Sequence, residues 1–199
     1  YDALENGLVF EAGYILNYFG PGGTLVIPSE IDVDGIPHPV MLINSRAFED
    51  CVSLVGVSIP ENITVEDYAF DGCTSLNRAI YPDETLPVFM GDFAFTEVDP
   101  SFTHYIRQSQ SNPLTDGHLV EPYDIFENGM AFSSGYLQTY IGSGGTVVIP
   151  SEVDGSYGPE PVILIQSGAF DGCTSLSGVS IPQTVEVYDY AFTGCTSLD

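Results

Sequence analysis

Short runs of strict alternation punctuate the chain. Val57 and Ile59 alternate with polar or small residues and stop at Pro60; Val179 and Ile181 do the same and stop at Pro182. Period-two alternation with a proline after it predicts a short strand with a hard end, because proline offers no N–H to a ladder. LENGLVFEAGYILNYFG (4–20) and FENGMAFSSGYLQTYIG (126–142) carry a different pattern. Asn6-Gly7 and Asn128-Gly129 separate apolar-containing runs there, and a second turn is expected near Gly13 and Gly135. Asn-Gly supplies two residues that tolerate positive φ, so each segment predicts an antiparallel meander. Residues 31–40, rich in Gly, Pro and Asp, read as a loop.

The pattern repeats. Residues 1–77 align without gaps on 123–199, identical at 45 of 77 positions, while 78–122 occur once. A shorter period lies inside: Ala-Phe at 47–48, 69–70 and 94–95, then at 169–170 and 191–192. Phe48, Phe70, Phe170 and Phe192 are each followed three residues on by Cys51, Cys73, Cys173 and Cys195, and after three more by Leu54, Leu76, Leu176 and Leu198. A unit of about 22 residues cannot bury its own apolar face, so such units stack, with each recurring side chain filling one slot of a ladder. Three segments are expected: a first copy over 1–77 (hairpin cap plus coils), a degenerate coil and linker over 78–122, and a second copy over 123–199 that reads as truncated. Whether these make one array or two modules stays open at this stage. The ladder is expected to fray after Phe95, where the Cys and Leu are missing, and SQSNPLTDGH (109–118) reads as linker.

AFEDCVSLVGVSIP, AFDGCTSLNRAIYP and AFDGCTSLSGVSIP resemble the BspA-type leucine-rich repeats of bacterial surface proteins. The resemblance covers about two thirds of the chain, and it rests on AFxxCxSL combined with SIP. It implies a mostly β, irregular right-handed leucine-rich repeat solenoid with short stacked strands, here with β-hairpin cap elements. It also implies a secreted or wall-attached setting at the cell surface and adhesion to a host or matrix protein or a glycan.

Charge narrows the partners. The chain has 28 acidic residues against three arginines and no lysine, for a formal net charge of -25. That excludes a phosphate-tracking nucleic-acid binder. It disfavours anionic membranes, and no apolar run is long enough to span a bilayer. With 44% hydrophobic residues, a disordered chain is equally disfavoured.

Candidate chemistry is thin. The cysteine spacings are those of the repeat, so buried free thiols are expected in place of a disulfide or a zinc site. Glu30, Asp32 and Asp34 form the strongest calcium candidate, with Asp83 and Glu84 second. No EF-hand order is present, and Asp34 becomes Ser156 in the second copy, so solvated acids are the simpler reading. His38 becomes Glu160, and no nucleophile-base motif or P-loop is present, so no enzyme and no cofactor are expected. Tyr68, Tyr188 and Tyr190 are the candidate binding surface, set against the plainer reading that repeated aromatics pack inside. An adhesion module and an architectural spacer with no ligand of its own both remain.

Overall fold

A computed structural model describes residues 3–83, 86–87, 89–91, 93–107, 114, 117–155 and 158–199. Glu84 of the second acidic cluster, Ser156 and most of the 109–118 linker fall outside them.

Both meanders form where the Asn-Gly turns place them. Ala3–Glu5, Leu8–Glu11 and Tyr14–Tyr18 are antiparallel neighbours, as are Ile125–Glu127, Met130–Ser133 and Tyr136–Tyr140. Asn6 and Gly7 take φ of 49° and 85°, and Asn128 and Gly129 take 50° and 80°, the positive pair that a two-residue turn matched to strand twist requires. The third strand of the first meander also opens a parallel ladder. Tyr14 and Ile15 pair with Leu42 and Ile43, these with Thr64 and Val65, and these with Phe89 and Met90. The meander therefore caps the solenoid by continuing its sheet.

A second parallel ladder runs along another side of the coils through Gly23–Val26, Leu54–Ser58, Arg78–Ile80, Thr103–Arg107 and Leu119–Tyr123. Leu25, Val57, Ala79, His104 and Val120 stand in line across it. The second copy repeats the arrangement in shorter form, with Tyr136–Tyr140, Leu164–Ile165 and Glu186–Val187 in one ladder and Gly145–Val148 beside Leu176–Ser180 in the other.

Between the two ladders of each coil lies the Ala-Phe turn. Phe48 N–H donates to Ala69 O at 2.8 Å and Phe70 N–H to Ala94 O at 2.8 Å, so each turn is hydrogen-bonded to the next coil. The rings stack inside, with centroids 4.6 Å apart for Phe48–Phe70 and 4.9 Å for Phe70–Phe95. Tyr18 heads the stack at 5.2 Å from Phe48, and Tyr140 heads its counterpart at 5.0 Å from Phe170.

Two expectations need correction. Residues 31–40 are not a loop: Glu30–Val33 and Ile36–Pro39 form an antiparallel hairpin, turning on Asp34 (φ 55°) and Gly35 (φ 83°). Both strands of this two-stranded sheet are edges, where Pro37 and Pro39 can stay off the ladder. The ladder also does not fray after Phe95. Val98, three residues on, takes the cysteine position and packs on the core, and Phe102 closes the ring stack at 4.8 Å from Phe95. The parallel sheet runs on through Leu119–Tyr123.

The two copies also touch. Arg78 occurs in the unrepeated segment and is 3% exposed. Its guanidinium donates to Asn77 Oδ1 at 2.7 Å, Asp171 O at 2.6 Å and Tyr140 O at 3.4 Å. Asn77 Nδ2 reaches Asp171 Oδ2 at 2.7 Å, and Thr24 Oγ1 donates to Gly142 O at 3.2 Å. Beside them Ile80 and Tyr123 pack with Ala131 and Ile141. Gly172 lies so close to Val55 that a Cβ there would stand 2.6 Å from a valine methyl. The Tyr140–Gly142 and Asp171–Thr174 edge of the second copy thus lies on the outer face of the first copy's second ladder.

Candidate interaction surface

On the outer side of the first ladder, alternation turns Tyr14, Leu42, Thr64 and Phe89 into one row, while Ile15, Ile43 and Val65 fill the core. Tyr14 is 43% exposed and Phe89 54%. A second row stands at the position just before each Ala-Phe pair: Arg46, Tyr68 and Phe93. Tyr68 and Phe93 stack face to face at 5.4 Å and 11°, and the Arg46 guanidinium lies 5.3 Å from the Tyr68 ring centre. Arg46 and Tyr68 hold φ of 63° and 62°, a left-handed backbone that non-glycine residues seldom adopt and that recurs because the coil geometry repeats. Together they form a cation–aromatic–aromatic ledge, with Phe93 52% exposed.

The predicted tyrosines divide between the copies. Tyr68 is half-buried within this ledge, whereas Tyr188 and Tyr190 project from the second copy, Tyr190 at 78% exposure. Gly168 stands there in place of Arg46, so no cation caps the row. Tyr14, Arg46, Phe89 and Phe93 were missed by sequence reasoning. A usable signal existed: positions 46, 68 and 93 share the spacing of the Ala-Phe pairs.

Of the ladder residues, Phe48, Leu54, Phe70, Cys73, Leu76, Phe170, Cys173 and Leu176 are buried. Cys51, Phe192, Cys195 and Leu198 are partly covered, the last three because they lie in the last described coil. All four cysteines are free. Cys73 Sγ donates to Phe48 O at 3.0 Å. The side-chain interaction between Cys51 and Cys73 lowers the pKa of Cys51; the same interaction, with burial, raises that of Cys73. Burial pushes Cys173 up to about 11. Since the thiolate is the reactive form, Cys51 is expected to react first as pH rises, with Cys173 inert until far higher pH. Thiol-reagent kinetics check this: Cys51→Ser should remove the fast phase, and unfolded, unreduced protein should titrate four thiols.

The calcium candidates fare differently. Glu30, Asp32 and Asp34 lie exposed on the 30–39 hairpin, and Asp32 Oδ1 accepts the Gly35 N–H at 2.7 Å, a bond that fixes the turn. Asp83 Oδ2 likewise accepts the Glu61 N–H at 2.9 Å. Among the described residues no group of three or more His, Cys, Asp or Glu is placed to hold a metal ion. Melting curves with millimolar calcium and with chelator should superimpose; a calcium-dependent rise of several degrees would show a site.

Residues 35–112 and 157–199 match the model of the BspA type leucine rich repeat region, in six copies. The chain is similar to a leucine rich cell surface protein of Faecalibacterium prausnitzii, at 22% identity over 96% of this chain and 51% of that one, with a TM-score of 0.42. It is also similar to a leucine rich repeat protein of T. pallidum, at 26% identity over 94% of this chain and 82% of that one, TM-score 0.31. A leucine-rich repeat protein of Bacteroides ovatus matches at 16% identity over 100% of this chain and 81% of that one, TM-score 0.38. The chain thus spans about half the length of the Faecalibacterium protein. No curated protein sequence matches it.

Proposed function

The chain belongs to the BspA-type leucine-rich repeat family, and on that premise we propose that it is a non-enzymatic module that binds protein or glycan outside a bacterial cell. The observation that carries this reading is the ledge of Arg46, Tyr68 and Phe93 beside the exposed Tyr14 and Phe89. Stacked aromatics at a surface pack on one another but leave the rest of their apolar area in water, whereas a sugar face or an apolar side chain of a partner would cover it. A spacer without a ligand has no use for them. The description of the Faecalibacterium protein as a cell surface protein agrees with an extracellular or wall-attached setting.

The copies 1–77 and 123–199 act in this reading as two capped modules, with 78–122 between them, and the ledge lies on the first module and the coil after it. The net charge of -25 favours a neutral glycan or a basic protein face over an anionic one. A glycan and host-protein binding array run at two ionic strengths tests the proposal. A neutral glycan should be retained unchanged in salt, and a basic protein should weaken several-fold as the field is screened. No retained partner of either class would leave the spacer reading.

A further inference from the structure

A cavity of about 210 Å3 lies at the junction between the copies. The first copy's second ladder forms one side of it. Val57, Ala79 and His104 stand in one register of that ladder and fill the core, so the register before them, Gly56, Arg78 and Thr103, faces outward, as does Tyr105 one pleat on. Gly56 leaves the space that the Arg78 side chain crosses: a Cβ there would stand 3.0 Å from Arg78 Nε. Arg78, Thr103 and Tyr105 line the cavity from this side, and Thr139, Ser167 and Asp171 line it from the second copy. Every lining residue except Gly168 carries a hydroxyl, an amide, a carboxylate or a guanidinium.

Two of these groups are buried without an answer. Thr139 is 1% exposed and Arg78 3%, and among the described residues neither Thr139 Oγ1 nor Arg78 Nε has a hydrogen-bond partner. Asn17, the equivalent of Thr139 in the first copy, is exposed, so it is the covering by the first copy that buries Thr139. Buried polar groups left unpaired are costly, and a ligand that satisfies them gains accordingly.

The chemistry of the walls selects that ligand. Both terminal nitrogens of Arg78 are already donated, to Asn77 Oδ1, Asp171 O and Tyr140 O, so no two-pronged fork is left for a carboxylate or a phosphate. Asp171 and the net charge of -25 repel an anion further, and Arg78 repels a cation. Hydroxyls that both donate and accept, with one spare N–H and an aromatic ring beside them, suit a neutral ring that is itself covered in hydroxyls. The volume is below the ~300 Å3 at which pockets for drug-sized ligands begin, and it suits a single ring. We propose that the junction cavity binds one neutral sugar ring, held between the two copies. This site shares no residue with the Arg46, Tyr68 and Phe93 ledge and does not depend on it.

Isothermal titration with a panel of methyl hexopyranosides tests this, with sodium sulfate as the anionic probe. At least one hexoside should bind saturably and raise the melting temperature, and sulfate should not. Ser167 is exposed at the rim, so Ser167→Trp should block the cavity and abolish binding with melting of the unliganded chain unchanged. Thr139→Val keeps the shape and removes the unpaired hydroxyl; it should weaken binding roughly two- to tenfold, the worth of one hydrogen bond. A Tyr68→Ala/Phe93→Ala variant should bind the hexoside as wild type does, which separates this site from the ledge. No hexoside bound, a cavity holding water alone, sulfate bound in place of the sugar, or binding untouched by Ser167→Trp would overturn the proposal.

Discussion

Phe70→Ala is expected to destabilise the chain by about 3–5 kcal/mol, the range for truncating a buried phenylalanine. Phe70 is fully buried between Phe48 at 4.6 Å and Phe95 at 4.9 Å, and its N–H donates to the Ala94 carbonyl of the next coil. The alanine would open a gap in a stack whose neighbours on either side are themselves fixed by coil-to-coil hydrogen bonds, so collapse into the space is restricted. In a chain of this size such a loss lowers the melting temperature by on the order of 10 °C. Phe192→Ala is the control: among the described residues Phe192 has one ring neighbour, Phe170 at 4.8 Å, and it is only partly covered. It should cost less than half as much in urea titrations. Equal costs would mean that the stack does not act as a continuous spine.

The second large effect is expected at Arg78. Arg78→Met keeps much of the apolar stem but removes every donor, leaving Asp171 O, Tyr140 O and Asn77 Oδ1 without their partner. Hydrogen bonds from a charged donor stabilise by about 1.5–3 kcal/mol each, so a loss of roughly 3 kcal/mol is the least expected. Because the bonds to Tyr140 and Asp171 join residues more than sixty positions apart, their loss falls on the coupling between copies and not within either one. The wild-type chain should unfold in one transition, and Arg78→Met in two, with a lower urea dependence for the first. Arg78 is buried, so added salt should not reproduce the effect. A single transition of unchanged steepness in the variant would show that the copies are not coupled through this residue.

What the sequence made legible was what it repeated. Recurrence alone marked the Ala-Phe pairs, the Cys and Leu slots and the two meanders, because each slot is a physical position in a stacked coil. Where the slot was kept but the residue changed, reading by identity failed: Val98 takes the cysteine position, and Tyr18 and Tyr140 head stacks otherwise made of phenylalanine. The 30–39 hairpin was hidden by its prolines, although Asp34-Gly35 supplies the same pair of positive φ values as the Asn-Gly turns that were recognised. Arg78 was out of reach for a different reason. It occurs once, so no comparison between copies bears on it, and its partners Tyr140 and Asp171 are brought to it only by tertiary packing. The ledge was half legible: Tyr68 was picked out by its place beside Ala-Phe, but stacking on Phe93 and the approach of Arg46 depend on the spacing between coils.

The proposed binding role rests on the ledge and is tested most directly by removing it. Tyr68 and Phe93 would both be changed to alanine, and the retained partner titrated against wild type, this double variant, and a Tyr188→Ala/Tyr190→Ala variant of the second copy. Unchanged melting of each would show that the fold is kept. Truncating an aromatic ring that a partner fully covers costs about 1–3 kcal/mol. The Tyr68/Phe93 variant should therefore bind at least tenfold more weakly, with the Tyr188/Tyr190 variant close to wild type. Binding that survives loss of the ledge, or that is lost with Tyr188 and Tyr190 instead, would contradict the account.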